Sequence, residues 1–173
     1  MFSCLKYGCC HPSFCLSWCC PLILMGQVMT RLKLNIWALP GTPTEVKNTF
    51  KYMLCLWVGF YIFQSIFAPP LSTVDTDDNT VIGFSPSPLY SLAGFLMFAY
   101  SLTIMIRTRR AVREKYAIPD DTTCGVSNDC CCSFWCSCCT VSLLARQTAD
   151  YENDRAMCCT ETGLRREAPV MVV

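Results

Sequence analysis

Two uncharged apolar segments constrain this chain more than any other feature. Tyr52 to Ala68 (YMLCLWVGFYIFQSIFA) runs seventeen residues with only Gln64 and Ser65 clearly polar, and Leu89 to Ile106 (LYSLAGFLMFAYSLTIMI) runs eighteen. As helices at about 1.5 Å per residue they cover roughly 25–27 Å, slightly less than a hydrocarbon core of about 30 Å. Tyr52 and Trp57 in one, Tyr90 and Tyr100 in the other, suit the headgroup belt, where an aromatic ring keeps one polar edge wet. The competing expectation is a pair of core helices in a soluble bundle, but a bundle helix normally carries a polar face. A mean hydropathy of +0.34 with only 16% charged residues favours the membrane.

Both helices have legible ends. Thr42-Pro43-Thr44-Glu45 has the form of a capping box with proline at the first helical position, so the first helix is predicted to start at Pro43 and stop before Pro69-Pro70. The second opens at Ser87-Pro88 and continues through the basic stretch Arg107 to Lys115 as far as the Ile118-Pro119 step. Arg31, Lys33, Lys47 and Lys51 precede the first span, and Arg107, Arg109, Arg110, Arg113 and Lys115 follow the second. The loop from Pro69 to Pro88 holds Asp75, Asp77 and Asp78 and no basic residue. The positive-inside rule therefore places both termini in the cytoplasm and the acidic loop outside.

The chain carries 16 cysteines, most in two clusters on either side of the spans: Cys4, Cys9, Cys10, Cys15, Cys19 and Cys20, then Cys124, Cys130, Cys131, Cys132, Cys136, Cys138 and Cys139. Both contain Cys-Cys-x4-Cys, at Cys9, Cys10 and Cys15 and at Cys130, Cys131 and Cys136. Such density would mark a disulfide scaffold in an oxidising compartment, but the cytoplasmic side of the membrane is reducing. Three uses of the thiols stay open: soft-metal ligation as thiolates, S-acylation such as palmitoylation, or packing as small hydrophobes. For ligation the candidates are Cys10, Cys15, Cys19, Cys20, Cys130, Cys131, Cys136 and Cys139, holding zinc or cadmium; no other cofactor is expected. The flanking runs Phe14 to Met29 and Cys130 to Ala145 are apolar, uncharged and sixteen residues long, which suits interfacial or re-entrant helices better than spans.

These residues resemble the placenta-specific gene 8 family, which includes cornifelin, the plant cadmium-resistance proteins and the cell-number regulators. Its hallmark, Cys-Cys-x4-Cys-Pro-Cys followed by Gly-Gln, is matched by Cys15, Cys20, Pro21 and Gly26-Gln27, with Phe14 and Leu22 in place of the first and last cysteines. A second element, Arg-x2-Arg-x2-Tyr and then Asp-Cys-Cys-x4-Cys-x2-Cys, is met by Arg110, Arg113, Tyr116, Asp129, Cys130, Cys131, Cys136 and Cys139. The resemblance implies a multi-pass protein, often of the plasma membrane, that forms homo-oligomers and takes part in zinc, cadmium or calcium transport or homeostasis. The alternative it leaves is an S-acylated scaffold that regulates growth or proliferation without transport. If ions cross, Gln64, Ser65, Ser91, Ser101 and Thr103 are the polar groups available to line a path.

Other classes are disfavoured. A net charge of +1 with no basic run interleaved with aromatics argues against nucleic acid. Catalysis is not expected: there is no phosphate-cradling glycine loop, His11 is the single histidine, and Asp120-Asp121 has no apolar surroundings to raise a pKa. The expectation is thus an all-α membrane protein, a two-helix transmembrane hairpin with Cys-rich interfacial or re-entrant helical segments packed together on the cytoplasmic side. Residues 1–150 form one domain, with Cys-rich segments at 1–30 and 124–150 and membrane helices at 43–68 and 88–116. Residues 151–173 are read as a short helix and a polar, flexible tail.

Overall fold

Proline sets the start of most of this molecule's helices. The computed structural model describes residues 12–68, 72–76, 79–83, 87–118, 133–151, 154, 156–158 and 160–164. Helices α1 (Pro12–Cys19), α2 (Pro21–Arg31), α3 (Pro43–Phe67) and α4 (Pro88–Lys115) each begin on a proline. The missing N–H of proline is no loss in a first turn, and its fixed φ suits the helix. The fifth helix, α5 (Ser137–Gln147), follows a short helical turn at residues 133–135.

The expected ends of α3 and α4 are found. At the start of α3 the Thr42 amide donates to Glu45 Oε2 at 2.9 Å, the reach-back half of the capping box. The Ser87 hydroxyl accepts from the Tyr90 amide at 3.3 Å and opens α4. Between the two helices the acidic segment contains two short strands among its described residues. Strands β1 (Ser72–Thr76) and β2 (Asn79–Gly83) pair antiparallel, with Val74 opposite Val81 and Thr76 opposite Asn79.

Helix α2 is the centre of the core. Leu24, Met25, Val28 and Met29 are essentially inaccessible, and burial of each is worth about 2 kcal/mol. Around α2 pack α1, α5, the lower half of α3 and the lower part of α4. From α3 come Thr49, Phe50 and Met53, and from α4 Ile104, Met105, Thr108 and Val112. The close approach of α2 to α3 depends on Gly26, where an added Cβ would lie 3.1 Å from the Met53 Cβ. The first Cys-rich segment is therefore divided at Cys20-Pro21, with α1 outside and α2 within.

Beyond this base the long helices are bare. Only 11% of the most apolar window of either α3 or α4 is buried, so neither is the core helix of a soluble bundle. Both are long and apolar enough to cross a membrane. Tyr61, Ile62 and Ile66 on α3 and Leu92, Phe95 and Leu96 on α4 are all exposed. The all-helical class expected from sequence holds, with the small hairpin added between the two candidate spans.

Two helices end in Schellman turns without glycine. After α2, the Leu34 amide donates to Met29 O at 2.9 Å and the Lys33 amide to Thr30 O at 3.2 Å, with Lys33 at φ 59°. After α4, Ile118 donates to Arg113 O at 3.0 Å and Ala117 to Glu114 O at 3.5 Å, with Ala117 at φ 49°. Side chains at this left-handed position crowd their own backbone, which glycine avoids. Lys33→Gly and Ala117→Gly are each predicted to stabilise the protein by about 1 kcal/mol, seen as a raised midpoint of thermal unfolding in mild detergent.

Candidate functional site

The two Cys-rich segments meet at the base of the long helices. Helix α1 packs along α5 and both pack on α2, and Arg146 Nε donates across to Ser13 Oγ at 3.4 Å. The expected packing of these segments is therefore observed at the level of whole helices. Within α1, Ser13 and Ser17 turn inward, and the Ser17 hydroxyl donates to Phe14 O at 2.7 Å. Cys15, Trp18 and Cys19 then fall on the outer face at helical i, i+3, i+4 spacing.

A matching arrangement precedes α5. Phe134, Trp135 and Cys136 are exposed, Trp135 at 80% and Trp18 at 72% being the barest large hydrophobic side chains among the described residues. Phe134 stands edge-on to Trp135 at 5.4 Å and to Phe98 of α4 at 5.9 Å. The aromatic cluster is thus continuous with the apolar surface of a candidate span. Two rings and their neighbouring thiols on a bare surface form a patch with the chemistry of a lipid interface.

Two cysteines hold matching places in the fold. Cys20 is the N-cap of α2 (φ −140°, ψ 62°) and Cys136 the N-cap of α5 (φ −129°, ψ 51°). Each precedes an eleven-residue helix and neither side chain caps its helix. The repeated Cys9-Cys10-x4-Cys15 spacing aligns Cys15 with Cys136, whereas the family-like stretch Phe14-Cys15-x4-Cys20 aligns Cys20 with Cys136, and place in the fold agrees with the second. Of the other candidate ligands, Cys15 and Cys19 lie on the exposed face of α1, and Cys139 is half-buried within α5. Cys10, Cys130 and Cys131 lie outside the described residues. Among the described residues no three His, Cys, Asp or Glu side chains come together as a metal-binding group.

The C-terminal end of α2 is tied to the end of the chain. The buried Gln27 amide donates from Nε2 to Cys158 O at 2.8 Å, Thr160 O at 3.1 Å and Met157 O at 3.3 Å. Arg31, also buried, donates from Nε to Thr162 O at 2.6 Å, from Nη1 to Ala145 O at 3.1 Å and Thr148 Oγ1 at 3.3 Å, and from Nη2 to the Tyr151 hydroxyl at 3.2 Å. Its guanidinium lies 5.6 Å from the centre of the Tyr151 ring. The cation sits at the C-terminal ends of both α2 and α5, where the helix dipoles present partial negative charge. Residues 151–164, grouped with the tail in the sequence expectation, contain turns and an Ala156–Leu164 bridge rather than a helix among the described residues. Gly163 has φ +70°, and a Cβ there would strike Gln27 Oε1 and Arg31 Nη2.

The polar groups of the candidate spans are mostly occupied by their own helices. Ser65, Ser101 and Thr103 donate to the carbonyls of Tyr61, Met97 and Ala99, four residues back. Gln64 Oε1 is buried without a hydrogen-bond partner among the described residues.

These features define a Cys-rich helical protein with two candidate membrane spans. The family comparison agrees: the PLAC8 family model matches residues 1–147, and the chain belongs to that family, one not known for enzymes. No curated protein and no solved structure matches the chain. Gly26-Gln27 and Cys20-Pro21, the family-like residues of the first segment, thus have structural work to do: a close helix crossing, a tether and a helix start.

The tether has a measurable energetic role. Arg31→Met leaves buried carbonyls and two helix ends without their donor, and is predicted to cost about 3 kcal/mol or more. Gly163→Ala is predicted to cost about 1–3 kcal/mol through its positive φ and the collision with Gln27. Thermal unfolding in detergent checks both, and a loss below about 0.5 kcal/mol, the range of an ordinary surface substitution, would contradict the tether.

Proposed function

We propose that this protein is a membrane-anchored scaffold whose Cys-rich body lies against the cytoplasmic leaflet, with its exposed thiols as S-acylation sites. One observation carries this reading: Cys15, Trp18 and Cys19 on α1, and Phe134, Trp135 and Cys136 before α5, are bare, and the second cluster touches Phe98 of a candidate span. Thiols beside interfacial aromatics are suitable acyl acceptors. The distribution of Lys and Arg supports cytoplasmic termini, and the basic lower end of α4 adds attraction to anionic lipid. The plasma membrane, where many relatives of this kind reside, is the proposed location.

Homo-oligomerisation fits the same picture. The bare halves of α3 and α4 flank an apolar gap lined in part by Cys55, Gly59, Phe63, Ala93 and Leu96. Gly59 and Gly94 have open space around them, which gives room for a helix of a second copy.

A second reading, zinc or cadmium homeostasis, is favoured by Cys15 and Cys19 standing one turn apart on an open face. In that reading they act with Cys10, Cys130 and Cys131. Transport through the spans is less well supported, because neither apolar segment carries an ionisable carboxylate or amine to mark an ion path.

The scaffold reading predicts hydroxylamine-labile acyl groups on Cys15, Cys19 or Cys136 in protein isolated from cell membranes. Replacing all three by Ser should remove the acyl groups while the protein stays in the membrane through α3 and α4. Unacylated protein that retains stoichiometric zinc or cadmium, lost in the same variant, would move the assignment to metal homeostasis.

A further inference from the structure

Where α2, α4 and α5 come together the packing leaves a cavity of about 130 Å³. Met25 of α2, Phe98 and Leu102 of α4, and Val141 of α5 supply its apolar wall, with Phe134 and Ser133 from the turn before α5. The lining is mostly apolar, with three serines: Ser101, which donates to Met97 O, Ser137, which is exposed, and Ser133. Ser133 is 1% exposed and its hydroxyl has no hydrogen-bond partner among the described residues. A buried hydroxyl left unpaired is costly, and each such group calls for an explanation.

The position of the cavity identifies what could satisfy it. Phe98 and Phe134 are each 51% exposed, so their outer edges belong to the surface that continues onto α4. An occupant arriving from the apolar surface of α4 reaches the cavity without crossing water. It must be apolar over most of its length and carry a hydrogen-bond acceptor for the Ser133 hydroxyl. A cavity of about 150 Å³ accepts a benzene ring, so this one holds about six carbon atoms.

We propose that this cavity is a binding site for a phospholipid acyl chain, whose ester carbonyl accepts a hydrogen bond from Ser133 Oγ. The first few methylenes fill the cavity, and the rest of the chain runs out between Phe98 and Phe134 along α4. The lipid ties α4 to α2 and α5, so membrane lipid becomes part of the packing between a span and the Cys-rich body. This rests on the proposed placement of α3 and α4 in a bilayer.

The test uses the full chain in phosphatidylcholine vesicles containing a phosphatidylcholine with a diazirine near the carbonyl end of one acyl chain. After irradiation, crosslinked residues are located by mass spectrometry. Crosslinks are expected at Met25, Leu102 or Val141 inside the cavity, together with ordinary surface labelling at Phe95 and Ile62. Val141→Phe should lower cavity labelling at least fivefold and leave Phe95 unchanged. Ser133→Ala, which leaves the packing intact, should lower it about threefold to tenfold, the value of one hydrogen bond. Cavity labelling insensitive to both substitutions, or absent while Phe95 is labelled, overturns the proposal and leaves the membrane reading standing. Loss of labelling at Phe95 and Ile62 as well overturns both. A hydroxylamine-labile acyl group on Cys20 or Cys136 that prevents cavity labelling assigns the space to the protein's own lipid and overturns the phospholipid site.

Discussion

The buried guanidinium of Arg31 is the interaction on which the rest of this structure depends. A charge taken out of water is tolerated only where its donors are matched, and here a carbonyl of α5, a hydroxyl just beyond it, a carbonyl near the chain end and the Tyr151 hydroxyl match them. Because these acceptors lie more than a hundred residues away in sequence, Arg31 joins the beginning of the described chain to its end. Gln27, one turn earlier, does the same with three carbonyls. The core helix α2 is held at one end by this polar tether and along its length by apolar packing. Each needs the other, since the polar groups are satisfied only when the apolar faces meet.

This arrangement separates two jobs that membrane helices often combine. The long helices α3 and α4 take part in the core only through their lower ends, near Thr49 to Met53 and Ile104 to Val112. Their relative position at the base is set by α2 and by the segment 32–42 rather than by packing along their bare lengths. In that segment the Tyr100 hydroxyl donates to Ile36 O at 2.9 Å and Arg107 Nη1 to Trp37 O at 3.1 Å. Their upper surfaces are left bare. A bilayer supplies no hydrophobic drive for helices to associate, so an open hairpin carries no penalty there that it would carry in water.

Much of this organisation is legible in the sequence because it rests on local rules. Proline at the first helical position, the Thr42–Glu45 box and Ser87 mark the helix starts, and charge-free runs mark the two long helices. The β1–β2 pairing is less legible, since Thr73-Val74 and Val81-Ile82 around Asp77-Asp78 carry only a weak hairpin signal. The roles of Gln27 and Arg31 have no local signature at all. A glutamine in an apolar run and an arginine at a helix end look like solvent-facing groups until the distant carbonyls are known. The first segment offers two registers, Cys9-Cys10-x4-Cys15 and Phe14-Cys15-x4-Cys20, and spacing alone does not choose between them; backbone conformation and helix start select the one that matches Cys20 to Cys136.

In the proposed scaffold the Cys-rich body rests on the bilayer through its exposed aromatic clusters. The most direct test is fluorescence quenching in vesicles whose phosphatidylcholine is brominated near the carbonyl end of the chains. Two variants keep Trp18 or Trp135 as the sole tryptophan, the other three being changed to Phe. Quenching of both by the brominated lipid, with little effect of iodide added to the water, is the predicted result. Strong quenching of both by aqueous iodide and none by the brominated lipid would place the clusters in solvent and contradict the account.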